Sequence, residues 1–185
     1  ASGASLAITS PTILPTYAQG YSGDTVVNQG TLSVGGTAIG SIQVAGNLIL
    51  NNANFTQTTN GNIASTSNVT INGGGVLTLT GLNTLNSISF NNNGGTATPT
   101  VTGGTLLLNG NITSVNDNYA TTPTISTVVL ELNGVTRTVT TSGLSPISLI
   151  MSGVIQNTMS ATPAGLIKAG AGSLVLSGAS TFTGG

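Results

Sequence analysis

The sequence predicts an all-β chain wound as a single-stranded β-helix, a β-solenoid with coils of roughly two dozen residues. Three observations predict it. One seven-residue phrase recurs along the chain, short β-branched strands lie between its copies, and almost all the polar residues are uncharged. No shift in composition divides residues 1–185, so they read as a single solenoid domain. That domain is expected to be a fragment or unit of a longer repetitive protein or filament.

The phrase runs Gly, any residue, Leu, any residue, an aliphatic, any residue, then Gly or Asn. It occurs at residues 30–36 (Gly30, Leu32), 46–52, 75–81 (Gly75, Leu77, Leu79), 104–110 (Gly104, Leu106, Leu108) and 172–178 (Gly172, Leu174, Leu176, Gly178). Looser versions end at Gly134 and Gly153. Each copy reads as a strand with period-2 alternation, bounded by residues that tolerate positive φ. Alternation places Leu77 with Leu79, and Leu174 with Leu176, on one face, with Thr and Ser on the other. Between the phrases, residues 25–28 (TVVN), 68–72 (NVTIN) and 87–91 (SISFN) read as further short strands. The phrase endings are spaced by about 24 residues on average, a solenoid-like period. One such coil cannot bury its apolar face alone, whereas stacked coils can. The individual spacings are uneven, from 16 to 29 residues, which leaves a β-sandwich as the competing architecture.

Composition supports a folded β-chain. Thr (32), Gly (27), Asn (20) and Ser (20) make up more than half of the residues, and the charged share is only 3%. Ordinary soluble domains carry about 25% charged residues. Disordered chains combine low hydrophobicity with high charge, and a mean hydropathy of +0.35 fits neither condition. Few Glu, Lys, Gln and Arg leave little support for helices. Two cations, Arg137 and Lys168, cannot supply a phosphate-binding surface, so no nucleic-acid partner is expected. No membrane span is expected in this segment, and residues 1–14 lack the basic region of a signal peptide.

The final stretch, residues 170–184 (GAGSLVLSGASTFTG), resembles the passenger-associated repeat of bacterial autotransporters: Gly-x-Gly-x-Leu-x-Leu-x-Gly-x-x-Thr-aromatic-x-Gly. The second half of that pattern is similar to residues 21–34 (YSGDTVVNQGTLSV), and Phe182 falls where Tyr21 does. The resemblance implies a right-handed β-helix, export to the cell surface or beyond, and a role in secretion or display. Because the pattern breaks near Phe182 and Gly184 and resumes near Tyr21 and Thr25, these four residues are expected to take part in head-to-tail association.

Catalytic chemistry has few groups to work with. There is no His and no Cys, so no metal site, cofactor or catalytic residue is expected. Asp24 and Asp117 read as turn residues, and Glu131 as an outward strand residue. Arg137 follows Glu131 across Asn133–Gly134, a hairpin signal, so the two read as a surface ion pair. Lys168 reads as a solvated loop residue. Asn-x-Thr sequons at Asn54, Asn68 and Asn111 are attributed to composition. The expected function is that of a non-enzymatic structural or adhesive module, extracellular or on the bacterial cell surface. Its expected partners are copies of itself, in a homo-oligomer or filament, and cell-surface or matrix glycans. The alternative is an ice- or carbohydrate-binding solenoid: Thr-x-Thr pairs recur at Thr78, Thr96, Thr100, Thr138 and Thr181, but their irregular spacing argues against a flat Thr array.

Overall fold

The structure is a computed structural model that describes residues 6–8, 12–13, 21–35 and 41–184. Strands alternate along the chain between two parallel sheets. The first contains β1 (Leu6–Ile8), β3 (Thr25–Val27), β5 (Leu48–Asn51), β7 (Asn68–Asn72), β9 (Ser87–Asn92), β11 (Ile112–Asn116), β13 (Arg137–Ser142) and β16 (Leu166–Ala169). The second contains β2 (Thr12–Ile13), β4 (Thr31–Val34), β6 (Asn54–Gln57), β8 (Val76–Leu85), β10 (Thr100–Leu108), β12 (Thr124–Glu131), β14 (Leu149–Met151) and β17 (Leu174–Leu176). A short β15 (Val154–Gln156) also pairs with β12. Each winding thus sends one strand to each sheet, and each strand pairs with its counterparts one winding before and after. This is a parallel β-solenoid with coils of about 24 residues, and no helix occurs among the described residues.

The interior is built from columns of aliphatic residues in register. In the second sheet Leu32, Phe55, Leu77, Val101, Ile125 and Met151 stack one above another, all essentially inaccessible. In the first, Leu48, Val69, Ile88, Ile112 and Val139 form the facing column. A third column, Val27, Leu50, Ile71 and Phe90, turns polar at Ser114 and Thr141. Those two inward hydroxyls are satisfied by donating to Ser148 O (2.6 Å) and Gly172 O (2.7 Å), as burial requires.

The shortest phrase spacing, 16 residues, has a simple origin. Residues 46–52 supply β5 of the first sheet, whereas the other copies supply β4, β8, β10 and β17 of the second. In that winding Asn54–Gln57 takes the second-sheet position instead. Gly104 also plays a different part from the one its phrase suggests. It does not bound a strand: Gly103 and Gly104, both at positive φ, form an irregularity inside β10 where the pairing with β8 shifts. A Cβ at Gly103 would lie 2.3 Å from Leu79 O, so only glycine fits there.

Leu77 and Leu108 are wholly buried, as alternation predicts. Leu176 is in the same inward register, opposite Met151, yet is 45% exposed. It belongs to the last described winding, where β17 pairs only with β14 among the described residues. Leu174 and Phe182, in the same winding, pack against the core but remain partly accessible.

Candidate functional site on the outer faces

Among the described residues there is no enclosed pocket and no cluster of three or more His, Cys, Asp or Glu. The chemistry of this chain lies instead in columns of polar side chains that the winding brings into register.

Two amide ladders run up the first sheet. In one, Asn47 Nδ2 donates to Asp24 Oδ1 (3.0 Å), Asn68 Nδ2 to Asn47 Oδ1 (3.0 Å) and Asn86 Nδ2 to Asn68 Oδ1 (2.7 Å). The backbone N–H groups of Asn47 and Asn68 join it, donating to the same oxygens as their own side chains. Every rung donates toward the N-terminal end, so the first rung needs only an acceptor. A carboxylate has only acceptors to offer, and Asp24 occupies that rung. In the other ladder Asn51, Asn72 and Asn91 donate in turn to Asn28, Asn51 and Asn72 at 2.7 to 2.8 Å. A knot of the buried Asn92, Asn116 and Asn118 with the half-buried Thr121 closes the corner between β11 and β12. Such ladders stabilise the stack without placing like charges one above another.

Asn72 accepts one rung and donates another, so Asn72→Ala is expected to cost about 1–2 kcal/mol in urea unfolding. Asn28→Ala removes a single rung and is expected to cost about half as much. Equal and negligible losses would mean that the ladders contribute no stability.

The outer face of the second sheet carries hydroxyls. Ser33, Thr56, Thr78, Thr102 and Ser126 are in register over five successive windings. None of their hydroxyls has a hydrogen-bond partner among the described residues. The next outward column reads Thr31, Asn54, Val76, Thr100 and Thr124. These columns are not a two-column Thr array: Asn54 and Val76 interrupt the second, and of the Thr-x-Thr pairs in the sequence only Thr100 with Thr102 fills both, in keeping with their irregular spacing. Thr80, by contrast, turns away to donate to Gln57 O (2.8 Å).

The charged residues sit elsewhere than the sequence suggests. Asn133–Gly134 is not a hairpin: β12 and β13 lie in different sheets. Glu131 and Arg137 therefore form no surface pair, and both are buried. The Glu131 carboxylate accepts from Gln156 Nε2 (2.8 Å), Thr158 Oγ1 (2.5 Å), Thr158 N (3.0 Å) and Met159 N (3.4 Å). Burial alone would raise its pKa, but these donors together outweigh burial and hold the carboxyl below its ordinary value. Arg137 donates to the backbone oxygens of Leu132 and Asn109, and burial pulls its pKa down. Asp117 accepts from Leu144 N (3.0 Å), one winding on. No described residue hydrogen-bonds to both Asp117 and Glu131. Lys168 is not in a loop: it lies on β16 in register with Val139, with Nζ donating to Ala169 O and Gly170 O.

Of the four residues assigned to association, Thr25 is wholly buried. The Tyr21 hydroxyl is 2.5 Å from Thr25 Oγ1 and donates to Gln43 O (2.9 Å). Burial raises the Tyr21 pKa, against a smaller lowering by the Thr25 bond. Gly184 N donates to Ala164 O (2.9 Å), which ties the last turn to the winding below. Sequence reading missed the donors to Glu131, since Gln156 and Thr158 carry no pattern of their own. The ladders were closer to legible: Asn28, Asn51, Asn72 and Asn91 recur at separations of 23, 21 and 19 residues.

The sequence model of the passenger-associated-transport-repeat family matches residues 12–34 and 166–185. Two segments of this β-solenoid are thus similar to that repeat. No curated protein and no solved structure matches it.

Proposed function

We propose that this chain is a stiff, non-catalytic rod of an exported passenger-type protein, working at the cell surface or outside the cell as adhesive or filament material that stacks end to end on copies of itself. The observation that carries the proposal is the parallel stacking of successive windings on one aliphatic column, Leu32 to Met151, in a chain of which two segments match a passenger-associated repeat. Each winding hides its apolar residues only against windings of the same kind, so copies of the repeat extend the same stack. Leu176, in the core register opposite Met151 and 45% exposed, is where a further winding would pack. A neutral outer surface, with few charges to repel a neighbour, suits the same role.

Sedimentation velocity of the 185-residue chain over a concentration series tests this. Oligomers that grow with concentration are expected, and Leu176→Asp is expected to return the chain to monomer with its β-sheet circular dichroism intact. A wild-type monomer at every concentration, or assembly indifferent to Leu176→Asp, would overturn the proposal.

The second reading, an ice- or glycan-binding face, has one specific observation in its favour: the in-register hydroxyls from Ser33 to Ser126. Absence of thermal hysteresis and of polysaccharide pull-down for the wild-type chain would remove it.

A further inference from the structure

Five Asn-Gly pairs occur in the sequence, at Asn60, Asn72, Asn93, Asn109 and Asn133. Such a pair is open to one spontaneous reaction. The glycine nitrogen attacks the asparagine Cγ, losing its proton as ammonia departs, and a five-membered imide closes. Water then opens either carbonyl, leaving aspartate or a backbone-lengthened isoaspartate. Only water is consumed. The reaction needs a free glycine N–H, a side-chain amide not held elsewhere, and room for the backbone to turn.

The fold withholds these conditions from four of the five pairs. Gly61 N is engaged with Asn83 Oδ1, Gly73 N with Asn91 O, and Gly134 N with Asn157 Oδ1. Asn72 and Asn133 also have their side chains held by neighbouring windings. Asn109 is fixed by three contacts: its N–H donates to Leu85 O, its backbone oxygen accepts from Arg137 and its Oδ1 accepts from Asn133. At Gly110 the backbone is pressed against Asn86 O, where even a Cβ would come within 2.3 Å.

The fifth pair alone combines all three conditions. Asn93 is exposed, and neither its amide nor the Gly94 N–H has a hydrogen-bond partner among the described residues. Nothing lies within 4 Å of the position a Cβ would take on Gly94. The pair sits in the connection from β9 to β10, whose residues 93–99 carry no charge. We propose that Asn93–Gly94 is a selective deamidation site, through which the folded protein gains a carboxylate on this loop with age. The formal net charge of −1 would double, and the new charge would lie on a surface that has almost none.

The test is peptide mapping by mass spectrometry after incubating the intact folded chain at mildly alkaline pH, which deprotonates the attacking nitrogen. Asn93 is expected to convert at least about fivefold faster than each of the other four pairs, the factor that one retained hydrogen bond provides. In urea the five rates are expected to converge. Gly94→Ala, which has the space and the backbone geometry to be accepted, is expected to suppress conversion at Asn93 and leave the melting temperature unchanged. Conversion at another pair first, or the same spread of rates in urea as in the folded state, would overturn the assignment. The outcome is independent of whether the chain self-associates.

Discussion

Phe90→Ala is expected to lower the unfolding free energy by about 3–5 kcal/mol, the cost of deleting a buried aromatic side chain. Phe90 is wholly buried in β9, stacked between Ile71 below and Ser114 above. Backbone ladders hold adjacent windings at about 4.8 Å, so neither neighbour can close over the cavity. In a chain of this size each kcal/mol shifts Tm by about 2–4 °C, which makes the loss plain in a thermal melt. Because each winding touches only its neighbours, amide exchange should rise first in β7, β9 and β11. Ile167→Ala provides the comparison. That side chain faces outward on β16 and is more than half exposed, so a change within about 0.5 kcal/mol is expected. A loss below about 1.5 kcal/mol for Phe90→Ala would mean that the windings collapse inward freely, and the rigid-ladder account of the core would fail.

Glu131→Gln should cost on the order of 3 kcal/mol at neutral pH, because a charged acceptor serving several donors is replaced by a half-acceptor that brings donors of its own. The carboxylate gathers Gln156, Thr158 and Met159, and so fastens the connection from β15 to β16 onto the end of β12. Its pKa is lower in the folded chain than in the unfolded one. Between those two values the unfolded state binds more protons, so stability rises with pH there. The contribution is complete above the ordinary carboxyl value of 4.5 and is lost as the pH falls through the folded pKa. Urea unfolding at neutral and at acidic pH checks both statements. Wild type should lose stability on acidification, and Glu131→Gln should lose less, so the two converge. Parallel curves across that range would show that Glu131 does not titrate as described.

How legible the molecule was in its sequence depends on which interaction decides each feature. Leu77, Leu79, Leu106 and Leu108 could be placed in the core from alternation alone, because strand geometry sends every second side chain to the same face. Leu176 carries the same local signal and is nearly half exposed, because β17 is paired on one side only among the described residues. The pairing of Glu131 with Arg137 failed for a related reason. Asn133–Gly134 signals a turn of the chain, and a solenoid corner uses the same residues as a hairpin. Which of the two forms depends on whether the next strand folds back or passes to the other sheet.

The sequence by itself determined an all-β chain with a repeated strand phrase, because an uncharged, β-branched chain with a recurring Gly-x-Leu pattern has aliphatic faces to hide and little support for helices. Parallel pairing between windings then decided for the solenoid over the β-sandwich. Tertiary structure alone decided which side chains share a column, which sheet each phrase enters, and where the few charges find partners. Those outcomes depend on strand register between windings some two dozen residues apart, held by backbone ladders to which every side chain along the chain contributes only indirectly.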